Sequence, residues 1–198
     1  GCSRLTGHIP ENLFTGISGA PASGMFSSTF YGCKGLAGSI PENLFAGISG
    51  APASGMFSST FRDCSGLTDS IPEGLFTGIA GKPASNMFLG TFSGCAGLTG
   101  SIPSGLFGNL SGAPAEIMFH ETFSGCTSLT GSIPSGLFGD LSGAPARNMF
   151  YETFYNCSGL TGNIPSGLFG NLSGTPANQM FQQTFYNCTG LTGEIPSG

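Results

Sequence analysis

Seven cysteines stand at Cys2, Cys33, Cys64, Cys95, Cys126, Cys157 and Cys188, each 31 residues after the last. A thiol can act as a nucleophile, a metal ligand, half of a disulfide or a small core group. A nucleophile needs an adjacent base, yet His8 and His120 fall at different offsets from their nearest cysteines. Zinc needs four ligands converging on one point, which a single Cys per 31 residues does not supply. Neighbouring strands at about 4.8 Å would bring successive thiols near bonding distance, whereas the wider spacing of packed helices would not. An odd number of cysteines in one column favours a buried, reduced thiol that belongs to the scaffold.

Other residues with chemical potential follow the same period. Counting Cys as position 1, Glu11, Glu42 and Glu73 share position 10 and form a short acidic row. Calcium would need six or more oxygens and a defined loop. A Glu directly after Pro at the start of a short helical turn also satisfies the helix dipole. Ser replaces Glu in the later copies, so no catalytic acid pair is expected. Positions 5 and 7 carry Thr68 and Ser70, Thr99 and Ser101, Thr130 and Ser132, and Thr161 and Asn163, continuing back to Thr6 and His8 and to Ala37 and Ser39. Stacked, they predict a hydroxyl-rich outward strip, either a solvated face or a face that binds a ligand or ice. Thr at position 28, as in Thr153, is expected to bond the carbonyl four residues back on a helix. N-x-S/T sequons begin at Asn109, Asn156, Asn171 and Asn187, and matter only in a eukaryotic secretory pathway.

The elements behind these columns are repeats. Six full copies (2–32, 33–63, 64–94, 95–125, 126–156, 157–187) precede a partial seventh (188–198). All 18 Phe occupy positions 13, 25 and 29, and all six Met occupy position 24. Every charged residue lies in a column that varies. Fixed apolar columns beside variable polar ones describe an inside and an outside. Cys33, Cys64, Cys95, Cys126 and Cys157, with Phe57, Phe88, Phe119 and Phe150, are the expected core ladder.

Two periodicities alternate within a copy. In "PARNMFYETFYNC", Ala146, Met149, Phe150, Thr153, Phe154 and Cys157 recur at offsets of three and four, which predicts an amphipathic helix beginning at Pro145. "LTGNI" from Leu160 alternates with period two and predicts a short strand, with Leu160, Gly162 and Ile164 inward and Thr161 and Asn163 outward. Pro165 then opens a tight turn or short helix through "SGLFGNLSG". The expected fold is an α/β repeat solenoid with one short parallel strand and one helix per 31-residue coil. One copy buries too little alone and needs its neighbours.

The run "MFxxTFxxCxxLTxxIPxxLF", as in Met149 to Phe169, resembles the BspA-like leucine-rich repeats of bacterial and protist surface proteins, and it does so along the whole chain. "LTGSIP" at Leu98 to Pro103 is similar to plant extracellular leucine-rich repeats over six residues, without their leucine ladder and asparagine. The unit here exceeds the 20–29 residues usual for leucine-rich repeats; the insert is the "SGAPA" linker. The BspA-like resemblance implies a curved or twisted α/β solenoid displayed outside the cell for adhesion or recognition.

Composition narrows the partners. Five basic residues, Arg4, Lys34, Arg62, Lys82 and Arg147, are scattered, which argues against nucleic acid. No run approaches 18 apolar residues, so no membrane insertion is expected in this segment. The expected role is non-enzymatic, with no catalytic, cofactor or metal residues, and extracellular. The expected partner is a protein or glycan surface ligand, or further copies end to end, as in a filament. The alternative is ice or carbohydrate binding through the Thr/Ser strip. Boundaries one residue before a copy and eleven residues into another lead us to expect a longer or polymeric protein.

Overall fold

A computed structural model describes residues 3–194, so Cys2 and the last residues of the partial seventh copy lie outside the described residues. The chain winds into stacked coils, one per copy, around a continuous apolar core. Each coil carries three stretches bonded to the next coil: positions 3–8, positions 15–18 and the turn-rich stretch from position 23 to the following Cys.

No helix is present among the described residues, which overturns the expected helix per coil. The stretch "PARNMFYETFYNC" and its counterparts are chains of tight turns instead. Position 23, position 27 and position 31 adopt left-handed φ in every coil, for example Asn148 (52°), Glu152 (51°) and Asn156 (59°). A left-handed residue at every fourth position cannot belong to a right-handed helix. The burial pattern agrees: Met149, Phe150, Thr153, Phe154 and Cys157 point inward in pairs with a period of four. A helix of 3.6 residues per turn would drift off that face by about 40° every four residues.

Hydrogen bonding explains why the turns are stable. Backbone N–H groups at positions 23, 25, 27, 29 and 31 donate forward to the next coil, as Phe88 N does to Met118 O (3.0 Å) and Gly90 N to His120 O (2.7 Å). The intervening N–H groups donate three residues back within their own coil, as in Thr91 N to Phe88 O (3.2 Å). Every second amide therefore serves the turn, and the others join neighbouring coils.

The strands lie only partly where expected. The longest, here β4 (Asn109–Gly112) and β5 (Asp140–Gly143), occupy the segment expected to be a turn or short helix. With β3 (Ala80–Gly81) and β6 (Asn171–Leu172) they form one parallel sheet, in the order β3-β4-β5-β6. Leu110 and Leu141 face the core between outward neighbours. At positions 3–8 only β1 (Thr6–Gly7) and β2 (Gly35–Leu36) pair as strands, parallel to each other. Later coils make single bridges there, including Gly162 to Leu191. Gly162 itself has φ +77°, so "LTGNI" is kinked and is not a regular strand.

The strand register is offset by two residues per coil relative to the repeat: Ser111 pairs with Asp140 and Ser142 with Asn171. An even offset keeps inward residues inward. Close approach sets where glycine is needed. A Cβ on Gly139 would lie 2.3 Å from the Leu110 carbonyl oxygen, and one on Gly78 would lie 2.2 Å from that of Ile48. The glycine sits one position earlier in the later coils and meets the same carbonyl column of the preceding coil.

Methionine has a specific task at position 24. Its sulfur accepts the backbone N–H three residues earlier, as Met118 Sδ does from Ala115 (3.4 Å) and Met149 Sδ from Ala146 (3.3 Å). Met118→Leu preserves volume but leaves the Ala115 N–H without an acceptor. It should lower stability by about 1 kcal/mol, read as a lower urea midpoint at unchanged slope.

Candidate functional site

The eight candidate residues of the outward strip, Thr68, Ser70, Thr99, Ser101, Thr130, Ser132, Thr161 and Asn163, are all exposed. The register places position 7 of one coil beside position 5 of the next, as the Ser70 to Thr99 bridge records. Thr99 Oγ1 donates to Thr68 O (2.8 Å), while backbone N–H groups of Thr130 and Thr161 donate to Gly100 and Gly131 (both 2.8 Å). Glycine at position 6 lets the coils close. A Cβ on Gly100 would lie 3.1 Å from Ser70 Cβ, and its φ of +72° already disfavours any side chain. The strip is thus a row of hydroxyls on hydrogen-bonded backbone. In the first coil, His8 Nδ1 bonds Ala37 O instead (2.9 Å).

The thiols point the other way. The six described cysteines are free and buried. Each thiol from Cys64 onward donates to a Phe carbonyl 34 residues earlier: Cys95 Sγ to Phe61 O (2.9 Å), Cys126 Sγ to Phe92 O (3.1 Å), Cys157 Sγ to Phe123 O (3.0 Å). Threonine at position 28 does the same four residues earlier, as Thr122 Oγ1 does to Phe88 O (3.0 Å) and Thr153 Oγ1 to Phe119 O (2.9 Å). The fixed threonine therefore bonds across coils, not four residues back on a helix. Each of these Phe carbonyls also accepts the backbone N–H three residues on, so the hydroxyl or thiol uses its second lone pair.

Around these donors the phenylalanines stack. Phe57, Phe88, Phe119 and Phe150 follow one another at 5.6 to 5.7 Å between ring centres, within 7° of parallel. Position 13 inserts between them at a tilt, as Phe107 does against Phe88 (4.6 Å, 51°). The thiols and rings are buried in one core, and turns rather than helices hold them.

The acidic row stays outside. Glu11 and Glu42 line an open groove of about 810 Å³ with His8, Asn12, Asn43 and Asp69. Among the described residues no three His, Cys, Asp or Glu side chains are grouped to hold a metal ion. No helix of the described residues is long and apolar enough to cross a membrane. Of the sequon residues, Asn109 and Asn171 are exposed on strands, whereas Asn187 Nδ2 donates to Asn156 Oδ1 (2.9 Å) in a side-chain ladder.

One charged contact was not foreseen. Arg62 Nη1 reaches Glu121 Oε2 at 2.8 Å, across the intervening coil. That coil has Gly90 in the path, where a Cβ would stand 2.9 Å from the guanidinium. His120, hydrogen-bonded to Glu121, and Arg62 hold this carboxyl below its usual range. The only sequence signal was a Gly in a column otherwise filled by Ser, Glu and Gln.

No family model, curated protein or solved structure matches this chain.

Burial pushes the Cys64 thiol up to about 12 and drives those of Cys95, Cys126, Cys157 and Cys188 up as well. In the unfolded chain a thiol ionises near about 8.5. Above that pH the unfolded chain binds fewer protons than the folded one, so stability falls as pH rises. The melting temperature should hold from pH 6 to 8 and drop between pH 9 and 11, with a smaller drop for Cys126→Ser. A flat profile to pH 11 contradicts the buried thiol ladder.

Proposed function

We propose that this chain is a non-enzymatic repeat module of an extracellular or cell-surface protein, serving adhesion, recognition or structure. One observation carries the reading. Apart from the end coils, the large side chains common to all copies point inward to stack coil on coil, and no charged residue is buried among the described residues. Catalysis needs a singular constellation of nucleophile, base and stabilising donors; the one singular cluster among the described residues, Arg62, His120 and Glu121, includes no nucleophile. The likeness of Met149 to Phe169 to BspA-like surface repeats supports the extracellular setting. The finer architecture belongs to the same proposal: a parallel-strand solenoid that presents its Thr/Ser strip to a protein or glycan ligand.

Ice binding through the strip is the second reading, and one observation favours it. A wall of helices about 10 Å apart against strands at about 4.8 Å would force curvature. Both walls here step from coil to coil by direct backbone hydrogen bonds, so that source of curvature is absent.

Ser101→Lys with Ser132→Lys places two charges on the strip without touching the core. On a glycan array the wild-type chain should bind a subset of glycans, and the double variant should lose at least about tenfold in affinity. Equal binding by both would remove the strip as the ligand face. Thermal hysteresis at millimolar concentration would select ice, and its absence would end that reading.

A further inference from the structure

One ionic contact reaches past the neighbouring coil. Arg62 projects from the second coil (33–63), and its Nη1 meets Glu121 Oε2 of the fourth coil (95–125) at 2.8 Å. The third coil lies between them. Its residue in that path is Gly90, where a Cβ would stand 2.9 Å from the guanidinium nitrogen. The same column holds Ser28, Ser59, Glu121, Glu152 and Gln183, all with left-handed φ between 51° and 56°. The backbone conformation therefore does not call for glycine at this position; the room that Arg62 takes does.

The carboxylate is held at both oxygens. His120 Nε2 lies 3.1 Å from Oε1, while Arg62 holds Oε2. The imidazole in turn rests on Tyr151 of the fifth coil, with ring centres 4.6 Å apart. A row of side chains thus runs from the second coil to the fifth along the outside of the turn wall. Side-chain exposure is 32% for Arg62 and 21% for Glu121, so solvent screens the pair only in part. The titratable groups next along the wall are Asp63, beside Gly94, together with Tyr151, Tyr155 and Glu152, which is hydrogen-bonded to Tyr151. The two acids among them repel Glu121. Its carboxyl is nonetheless held below the ordinary range, first by the His120 hydrogen bond, then, against the effect of burial, by Arg62.

We propose that Arg62 and Glu121 form an acid-released clasp that makes the second, third and fourth coils open as one unit. A solenoid otherwise opens junction by junction, because its interactions join nearest neighbours. At the turn wall the second coil donates to the third through Ser59 N to Leu89 O (2.7 Å), and the third to the fourth through Gly90 N to His120 O (2.7 Å). Parting either junction pulls Arg62 away from Glu121, so both openings break the same ion pair. Once one junction has broken it, the other has lost it as well. Acid releases the clasp. It is complete above the unfolded carboxyl value of about 4.3 and is lost as pH falls through the lower folded value.

Backbone amide hydrogen exchange, read by NMR on the 198-residue chain, tests this. Glu121→Gln keeps the shape of the side chain and removes its charge, and Gln183 already occupies the same column. Arg62→Gln removes the other partner. At about pH 7 each variant should exchange about two- to fivefold faster than wild type at both the Ser59 and the Gly90 amide, with unchanged circular dichroism. The double variant should exchange no faster than either single one, since each removes the same pair. The Phe150 amide, which joins the fifth coil to the sixth, should keep its wild-type rate. The gap between wild type and Glu121→Gln should close as pH falls from 7 to about 3. Faster exchange at only one of the two junctions overturns the proposal, because the coils then open separately. Unchanged rates in both variants, an equal rise at Phe150, or a gap that persists in acid does so too.

Discussion

The backbone amides of the turn wall are divided between two tasks, and the rest of the molecule depends on that division. Half close the turns and half join coil to coil. Leaving buried amides unpaired costs free energy comparable to a lost hydrogen bond, and neither a helix nor an ordinary strand would pair these groups in this way. A helix would spend all of them within the coil. A regular strand would send them to both neighbours. The left-handed residue at every fourth position makes the alternation possible.

The spacing of side chains follows from that backbone. Once successive coils are tied by direct hydrogen bonds, equivalent rings must sit close enough to stack, and the phenylalanine columns do so at 5.4 to 5.7 Å at positions 25 and 29. Two carbonyl columns per coil run beside the rings with a lone pair to spare, and a small donor of the right reach completes each. Threonine fills one column and cysteine the other. This gives the thiol its role. A leucine would fill the space but could not donate, and a serine would donate with less volume. The acidity of the thiol is suppressed by the same burial that makes it structurally useful.

Much of this was legible in the residues, and the misreadings have physical causes. Fixed columns against varying ones separate core from surface, so Cys95, Cys126, Phe88 and Phe119 could be placed inside, and Thr99 and Ser101 outside, without coordinates. The helix was misassigned because offsets of three and four fit a period of 3.6 and a period of 4 equally over two turns. The distinguishing sign was position 31, occupied by Gly32, Asp63, Gly94, Gly125, Asn156 and Asn187, all types that tolerate left-handed φ. "LTGNI" alternates well, yet its central Gly162 has φ +77° and the segment makes only the single bridge from Gly162 to Leu191. "NLSG" alternates over only four residues and so carried little signal, although β4 and β5 form there. The Arg62 to Glu121 contact joins residues two coils apart, beyond any local pattern.

A repeat chain built this way gains length by adding coils without changing its core, while the outward columns vary freely. The sharing of backbone amides between turn and neighbour is the claim on which this picture stands. Scalar coupling across hydrogen bonds, measured by NMR on labelled protein, reads it directly. The account predicts a coupling from the Phe88 amide nitrogen to the carbonyl carbon of Met118 in the next coil. A coupling from Phe88 to Ala84, four residues back, would mean a helix and contradict it.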